Sequence, residues 1–115
     1  NGKQVRDILY IDDLTRLFDS ILDKQKTAAG KIYNVGGGKK NAISLLDLID
    51  ILKTYTDREL DPVFYDWRPG DQRIYYCDIS KVNKEIGWQP EIEKSKGIEL
   101  LYNWTQSHHN YFLTQ

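Results

Sequence analysis

The chain has 115 residues, enough for one compact domain. Hydrophobic residues make up 40% and charged residues 29%, the balance of a folded globular chain rather than a disordered one. The net charge of −1 argues against a general nucleic-acid or membrane-surface binder, and no apolar run approaches the roughly 20 residues of a membrane span. No charged-then-apolar leader opens the sequence. The single cysteine, Cys77, excludes an internal disulfide; it sits in an apolar run and reads as a buried, inert thiol. A cytoplasmic location is the resulting expectation. The sequence opens at Asn1 as a loop already in progress and contains no Met, so a piece of a longer protein is expected.

Residues 5–11 predict a strand, charged at its entry and apolar over its last four positions, as in a strand covered on both faces. Asp12 or Asp13 is placed to cap a helix in which Leu14, Leu17, Phe18, Ile21 and Leu22 recur at helical spacing. Residues 31–35 form the next predicted strand and run into Gly36-Gly37-Gly38. That turn lacks the G-x-G-x-x-G dinucleotide spacing and the Gly-Lys-Ser/Thr of a phosphate loop, so the glycines are expected to admit a close backbone or ligand. Ser44 is an N-cap with Asp47 three residues on. The stripe Leu45, Leu48, Ile49 and Leu52, widened by Leu46 and Ile51, predicts a helix buried over much of its circumference and ending near Thr56 and Asp57.

Two further strand-like runs, residues 62–65 and 74–77, flank a polar turn. Asp78 or Ser80 caps a short helix with Ile79, Val82 and Ile86 inward and Gly87 as its stop. Trp88 reads as an indole plugging a core gap. A last helix over about residues 93–109 carries Ile98, Leu101, Tyr102 and Thr105 on one face. His108 and His109 are adjacent, not four apart, and read as solvent histidines rather than metal ligands. Strands alternating with helices give an α/β class, with some strands as edge pieces of a larger parallel sheet.

The polar turn, Trp67-Arg68-Pro69-Gly70-Asp71-Gln72-Arg73, gathers two guanidiniums, a carboxylate, an amide and an indole around a Pro-Gly pair. Arg forks two donors onto phosphate oxygens, and Asp accepts from a ribose diol. A solvated turn with a local Arg–Asp pair explains the same residues. Elsewhere there is no Ser-His-Asp spacing, no Cys-x-x-Cys, no His-Glu-x-x-His and no Tyr with a Lys four positions later. Nothing reads as a catalytic acid, base or nucleophile, so the chain is expected to bind rather than transform.

The order of parts carries a resemblance. Residues 2–14, Ile32-Tyr33-Asn34-Val35-Gly36-Gly37, Arg68-Pro69-Gly70-Asp71, Asp78-Ile79-Ser80-Lys81, Glu85-Ile86-Gly87-Trp88-Gln89-Pro90, Gly97-Ile98 and Trp104 resemble the extended short-chain dehydrogenase/reductases, the NAD-dependent nucleotide-sugar epimerases and dehydratases. The stretch 66–73 looks most like the branch that acts on CDP-paratose and CDP-tyvelose. The resemblance is to the C-terminal portion alone. It implies a fold made of a C-terminal substrate-binding lobe plus edge elements of an incomplete Rossmann-like sheet, which residues 31–35 would join. NAD would be bound by an N-terminal domain that is not in this sequence. The resemblance places Arg6 and Arg68 on a substrate diphosphate as a two-sided clamp, and Asp71 on the nucleotide ribose. Gly2, Lys3 and Gln4 would belong to the loop over the nucleotide. It implies transient hydride removal from the sugar in the intact protein and no epimerase activity in this chain alone. Its implied partner is a nucleotide-diphosphate sugar; separately, unpaired strands with apolar faces are expected to pair with the missing domain or with further copies of the chain. The rival reading is a non-enzymatic module that binds a protein through exposed strand edges; within the family, a 4,6-dehydratase or UDP-sugar 4-epimerase is the alternative.

Overall fold

The computed structural model describes residues 2–56 and 58–112. Its sheet is small. β1 (Val5–Asp7) pairs antiparallel with β2 (Ala42–Ser44), Arg6 standing opposite Ile43. On its other edge Val5 makes a parallel bridge to Ile74, built from Val5 N–H to Arg73 O at 2.9 Å and Tyr75 N–H to Val5 O at 3.1 Å. The α-helices among the described residues are α1 (Ile11–Asp23), α2 (Gln25–Ala28), α3 (Leu45–Lys53), α4 (Ser80–Ile86) and α5 (Lys94–Ser107).

The mixed α/β class holds, but the strands differ from expectation. β1 ends at Asp7, although Ile8 N–H still donates to Asn41 O at 3.0 Å, and α1 opens at Ile11. Residues 31–35 form no ladder, and Ile32 is 85% exposed. β1 is flanked by β2 on one side and by Ile74 on the other, so residues 31–35 do not join it. Of the runs 62–65 and 74–77 only Ile74 pairs. Pro62 has no N–H to give a ladder, and Val63, Phe64 and Tyr65 wall an open hollow instead. β2 escaped the sequence reading because three residues are too few to show alternation.

The core lies on the α1–α4 side. Leu17, Val82, Ile86 and Trp88 are buried together, with Leu9, Leu14, Ile21, Tyr33, Val35 and Ile79 packed around them. Trp88 is the expected core plug, and its Nε1–H also donates to Asp13 O at 2.9 Å. Asp13 is not the N-cap. Tyr10 holds that position, and the Asp13 carboxylate is buried one turn in, where it accepts from Glu91 N–H at 3.1 Å and Ile92 N–H at 3.0 Å and pairs with Arg16. Burial alone would push this carboxyl up. The hydrogen bonds from Ile92, Arg16 and Glu91 outweigh it and hold the pKa below the usual range. The residue therefore pins the 88–92 connector onto α1. Gly87 ends α4 at φ 74°, the left-handed conformation expected of a glycine stop. The N-cap of α4 is Ile79; Asp78 accepts from Ser80 N–H at 2.9 Å just outside it.

Ser44 and Asp47 form the expected reciprocal cap on α3. Asp47 N–H donates to Ser44 Oγ at 3.1 Å, and Ser44 N–H donates to the Asp47 carboxylate at 3.2 Å. The Ser44 hydrogen bonds hold the Asp47 pKa low. α3 itself corrects the reading of a deeply buried helix: none of its residues is fully buried. It packs on β2 and α5, which cover one side and leave its remaining apolar residues partly exposed. The helix ends at Lys53; Asp57, part of the expected end, lies outside the described residues. α5 buries Gly97 and Ile98, but Leu101 on the expected inner face stays 56% exposed. His108 caps α5 and stacks on Trp104 at 4.7 Å, while His109 is exposed. No cluster of three His, Cys, Asp or Glu side chains suited to a metal exists among the described residues, and no helix there is long and apolar enough to cross a membrane.

Candidate functional site

The turn at 67–73 is held from several directions. Gly70 takes φ 83°, which a side chain would resist, and Asp71 N–H donates to Arg68 O at 3.2 Å to close the turn. Arg68 Nε lies 3.3 Å from Asp71 Oδ2. Trp67 Nε1–H donates to Asp71 O at 3.1 Å, and the Arg73 guanidinium sits 5.8 Å from the Trp67 ring centroid. From β1, Arg6 Nη1 donates to Gln72 O at 2.9 Å and to Val5 O at 2.7 Å.

Beside this turn lies a hollow of about 420 Å³. The first turn of α3 forms one wall through Leu46. The chain start forms another: Gly2 O and Gln4 O accept from Leu46 N–H at 3.1 Å and Leu45 N–H at 3.2 Å, so residues 2–4 are sewn across the helix N-terminus. Phe64, Trp67, Arg68 and Asp71 complete the enclosure. The walls are therefore largely apolar and aromatic, with a guanidinium, the carboxylates of Asp66 and Asp71 and an amide among them, the usual make-up of a small-molecule site.

The expected site residues divide. Gln4, Arg68 and Asp71 line the hollow. Arg6 is not in its wall; it reaches the same turn from the sheet, through Gln72. Lys3 is exposed and also outside the wall, though both its neighbours line it. Both Nη1 hydrogens of Arg6 are used on carbonyls, which leaves Nε and Nη2 as its remaining donors. Arg68 keeps a side chain 85% exposed, so its pairing with Asp71 is solvated and readily exchanged for another anion.

Sequence reasoning gave Trp67 and Arg73 no role, yet the structure ties both to the turn. Six positions apart on an irregular segment, they carry no periodic signal that would have paired them. A second concavity, about 760 Å³, opens where Tyr55 stacks on Tyr102 at 5.6 Å between the ends of α3 and α5. None of the expected site residues lies there.

The chain is similar to known proteins over nearly all its length. The family model described as GDP-mannose 4,6 dehydratase matches residues 1–101. CDP-paratose 2-epimerase of Salmonella typhi is 35% identical over 107 residues, covering 93% of this chain and 32% of that protein. UDP-glucuronate 4-epimerase of Thermodesulfobacterium geofontis is 33% identical over 106 residues, 92% of this chain and 32% of that one. The crystal structure of UDP-glucuronic acid 4-epimerase from Bacillus cereus, in complex with UDP-glucuronic acid and NAD, superposes with a TM-score of 0.82 at 30% identity, over 94% of this chain and 34% of that chain. The chain thus spans about a third of the length of these relatives.

NAD is bound in that comparison structure, and the glycine-rich turn at 36–38 does not form a place for it here. The one glycine-rich turn is filled by the protein's own atoms. A Cβ at Gly37 would stand 1.9 Å from Ile8 O, and one at Gly36 would stand 2.5 Å from Asp7 Oδ2 and 2.6 Å from Cys77 Cβ. The glycines serve close backbone approach, one of the two uses expected of them. By its match over residues 1–101 and its agreement in fold, the chain belongs to the GDP-mannose 4,6 dehydratase family, among the NAD-dependent nucleotide-sugar epimerases and dehydratases of the extended short-chain dehydrogenase/reductase class.

Proposed function

We propose that this chain is the substrate-gripping part of a nucleotide-sugar epimerase, and that the hollow beside residues 67–73 takes the nucleoside diphosphate of a CDP-sugar. The observation that carries the reading is the gathering of Gln4, Arg68 and Asp71 around one hollow, with Arg6 reaching the same turn. Arg68 exchanges Asp71 for a phosphate oxygen, and the freed carboxylate accepts from the ribose diol. Arg6 offers Nε and Nη2 from the strand side, and Lys3 and Gln4 stand over the nucleotide. Two guanidiniums on one diphosphate match its charge and its fork geometry. Holding this inert end places the sugar carbon for the reaction, so remote binding energy is used for orientation. The choice of CDP rests on the similarity to CDP-paratose 2-epimerase.

This chain alone is proposed to be inactive: its sequence carries no Tyr with a Lys four positions later and no G-x-G-x-x-G. NAD would be held by residues beyond these 115. Ile11, Phe18 and Leu22 form an exposed apolar stripe on α1, and Ile32 projects from the unpaired segment 31–35. These surfaces would dock on the NAD-binding portion, with 31–35 entering its sheet, or on another copy of the chain when alone.

Calorimetric titration of the full-length protein with CDP, UDP, dTDP and GDP tests the reading. CDP should bind tightest, and Arg68→Ala should weaken it about tenfold or more, the scale of a charged hydrogen bond. Absence of heat with every nucleoside diphosphate at millimolar concentration would overturn it.

A further inference from the structure

We infer that Trp67 and Arg73 act together as positioning residues that set Arg68 and Asp71 for the nucleotide; the inference rests on the function proposed above. The turn needs such a device. Residues 61–70 are all exposed, so no core packing fixes them. A Pro-Gly pair shapes the chain locally, yet Gly70 brings conformational freedom that must be removed before ligand arrives. The Arg68–Asp71 pair is too solvated to hold the loop by itself.

Two consecutive carbonyls on the far limb of the turn are each captured by a side chain. Asp71 O receives Trp67 Nε1–H at 3.1 Å, and Gln72 O receives Arg6 Nη1–H at 2.9 Å. Arg73 then stands over the Trp67 ring, 5.8 Å from its centroid, and keeps the indole at an angle from which Nε1–H reaches its carbonyl. The indole also lines the hollow. One side chain therefore touches the cavity with its ring and fixes the backbone of the ribose-binding residue with its N–H. Arg73, outside the wall, acts only through that ring.

The test is CDP titration of the full-length protein carrying Trp67→Phe, Arg73→Met, Arg73→Lys, and Trp67→Phe with Arg73→Met. Phe keeps an apolar ring and removes the donor; Lys keeps a cation for the ring and Met does not. Trp67→Phe and Arg73→Met should each weaken CDP about fivefold, and the double variant should be no worse than either, because both break one latch. Arg73→Lys should restore most of the affinity. Thermal midpoints should stay within about 1 °C of the unsubstituted protein, since no core contact is lost. Unchanged affinity in both single variants, or losses that multiply to about 25-fold in the double variant, would overturn the inference while leaving the binding site in place. If the unsubstituted protein itself gives no heat with CDP, the functional reading fails and takes this inference with it.

Discussion

Arg6, on β1, donates through Nη1 to the backbone carbonyl of Gln72, 66 residues later, at 2.9 Å. The bond sits beside the parallel bridge from Val5 to Ile74, so strand and turn are joined by both backbone and side chain. Arg6 is thereby a brace between strand and turn. It braces the turn with Nη1, and Nε and Nη2 are the donors left for the diphosphate proposed above.

Asp13 is the residue whose loss should cost the fold most. Asp13→Asn replaces one acceptor with a donor facing the N–H groups of Glu91 and Ile92. We expect a loss of about 2–3 kcal/mol in urea unfolding at pH 7. The folded pKa is depressed, so the unfolded state takes up the proton first on acidification. The stability Asp13 contributes is complete above about pH 4, the unfolded carboxylate range, and is lost as pH falls through the lower folded value. The gap between wild type and Asp13→Asn should accordingly close in acid. A gap that stays constant from pH 7 to pH 2 would remove the charge from the explanation.

Gly37 and Gly30 separate steric from conformational cost. Gly37→Ala must push its Cβ against Ile8 O and should destabilise by about 3 kcal/mol. Gly30 has φ 71° and nothing within 4 Å of a built Cβ, so Gly30→Ala should cost only about 1–2 kcal/mol. Thermal melts that ranked Gly30→Ala as the worse variant would show that the 36–38 turn is looser than described.

Much of this was readable in advance, and the misses have physical causes. The Ser44–Asp47 cap, the Gly87 stop and the Trp88 core plug are local or strongly hydrophobic signals, and each is found where expected. Asp13 was misplaced because its partners, residues 91 and 92, are remote in sequence, and an acidic residue after a strand reads as a cap on local evidence. The runs 31–35 and 62–65 are apolar enough for strands, but pairing depends on an available edge, which no single segment encodes. At the site, Arg68, Asp71 and Gln4 came from a motif. The Trp67–Arg73 contact did not, because it depends on the shape of an irregular turn.

Cys77 should be slow to react. Burial pushes its thiol pKa up, against a hydrogen bond with Tyr75 that pulls the other way. Alkylation by iodoacetamide at pH 8 should run at least about tenfold slower in the native chain than in urea, since the thiolate is the nucleophile. Equal rates in the two conditions would show that the thiol is accessible.

The isolated 115-residue chain should associate. Ile11, Phe18 and Leu22 on α1, together with Ile32 in a segment that joins no ladder, expose apolar surface. Light scattering should give a mass above that of the monomer at tens of micromolar, and Phe18→Glu should lower it. A monomer at every concentration would contradict the docking role given to this face.

The two-sided clamp is tested most directly by comparing CDP with cytidine in Arg6→Ala and Arg68→Ala, measured calorimetrically on the full-length protein. If both guanidiniums hold the diphosphate, each substitution should weaken CDP by about 1.5–3 kcal/mol and change cytidine by less than about 0.5 kcal/mol. Retention of full CDP affinity in Arg6→Ala, or an equal loss of cytidine, would reduce Arg6 to a brace for the turn and contradict the clamp.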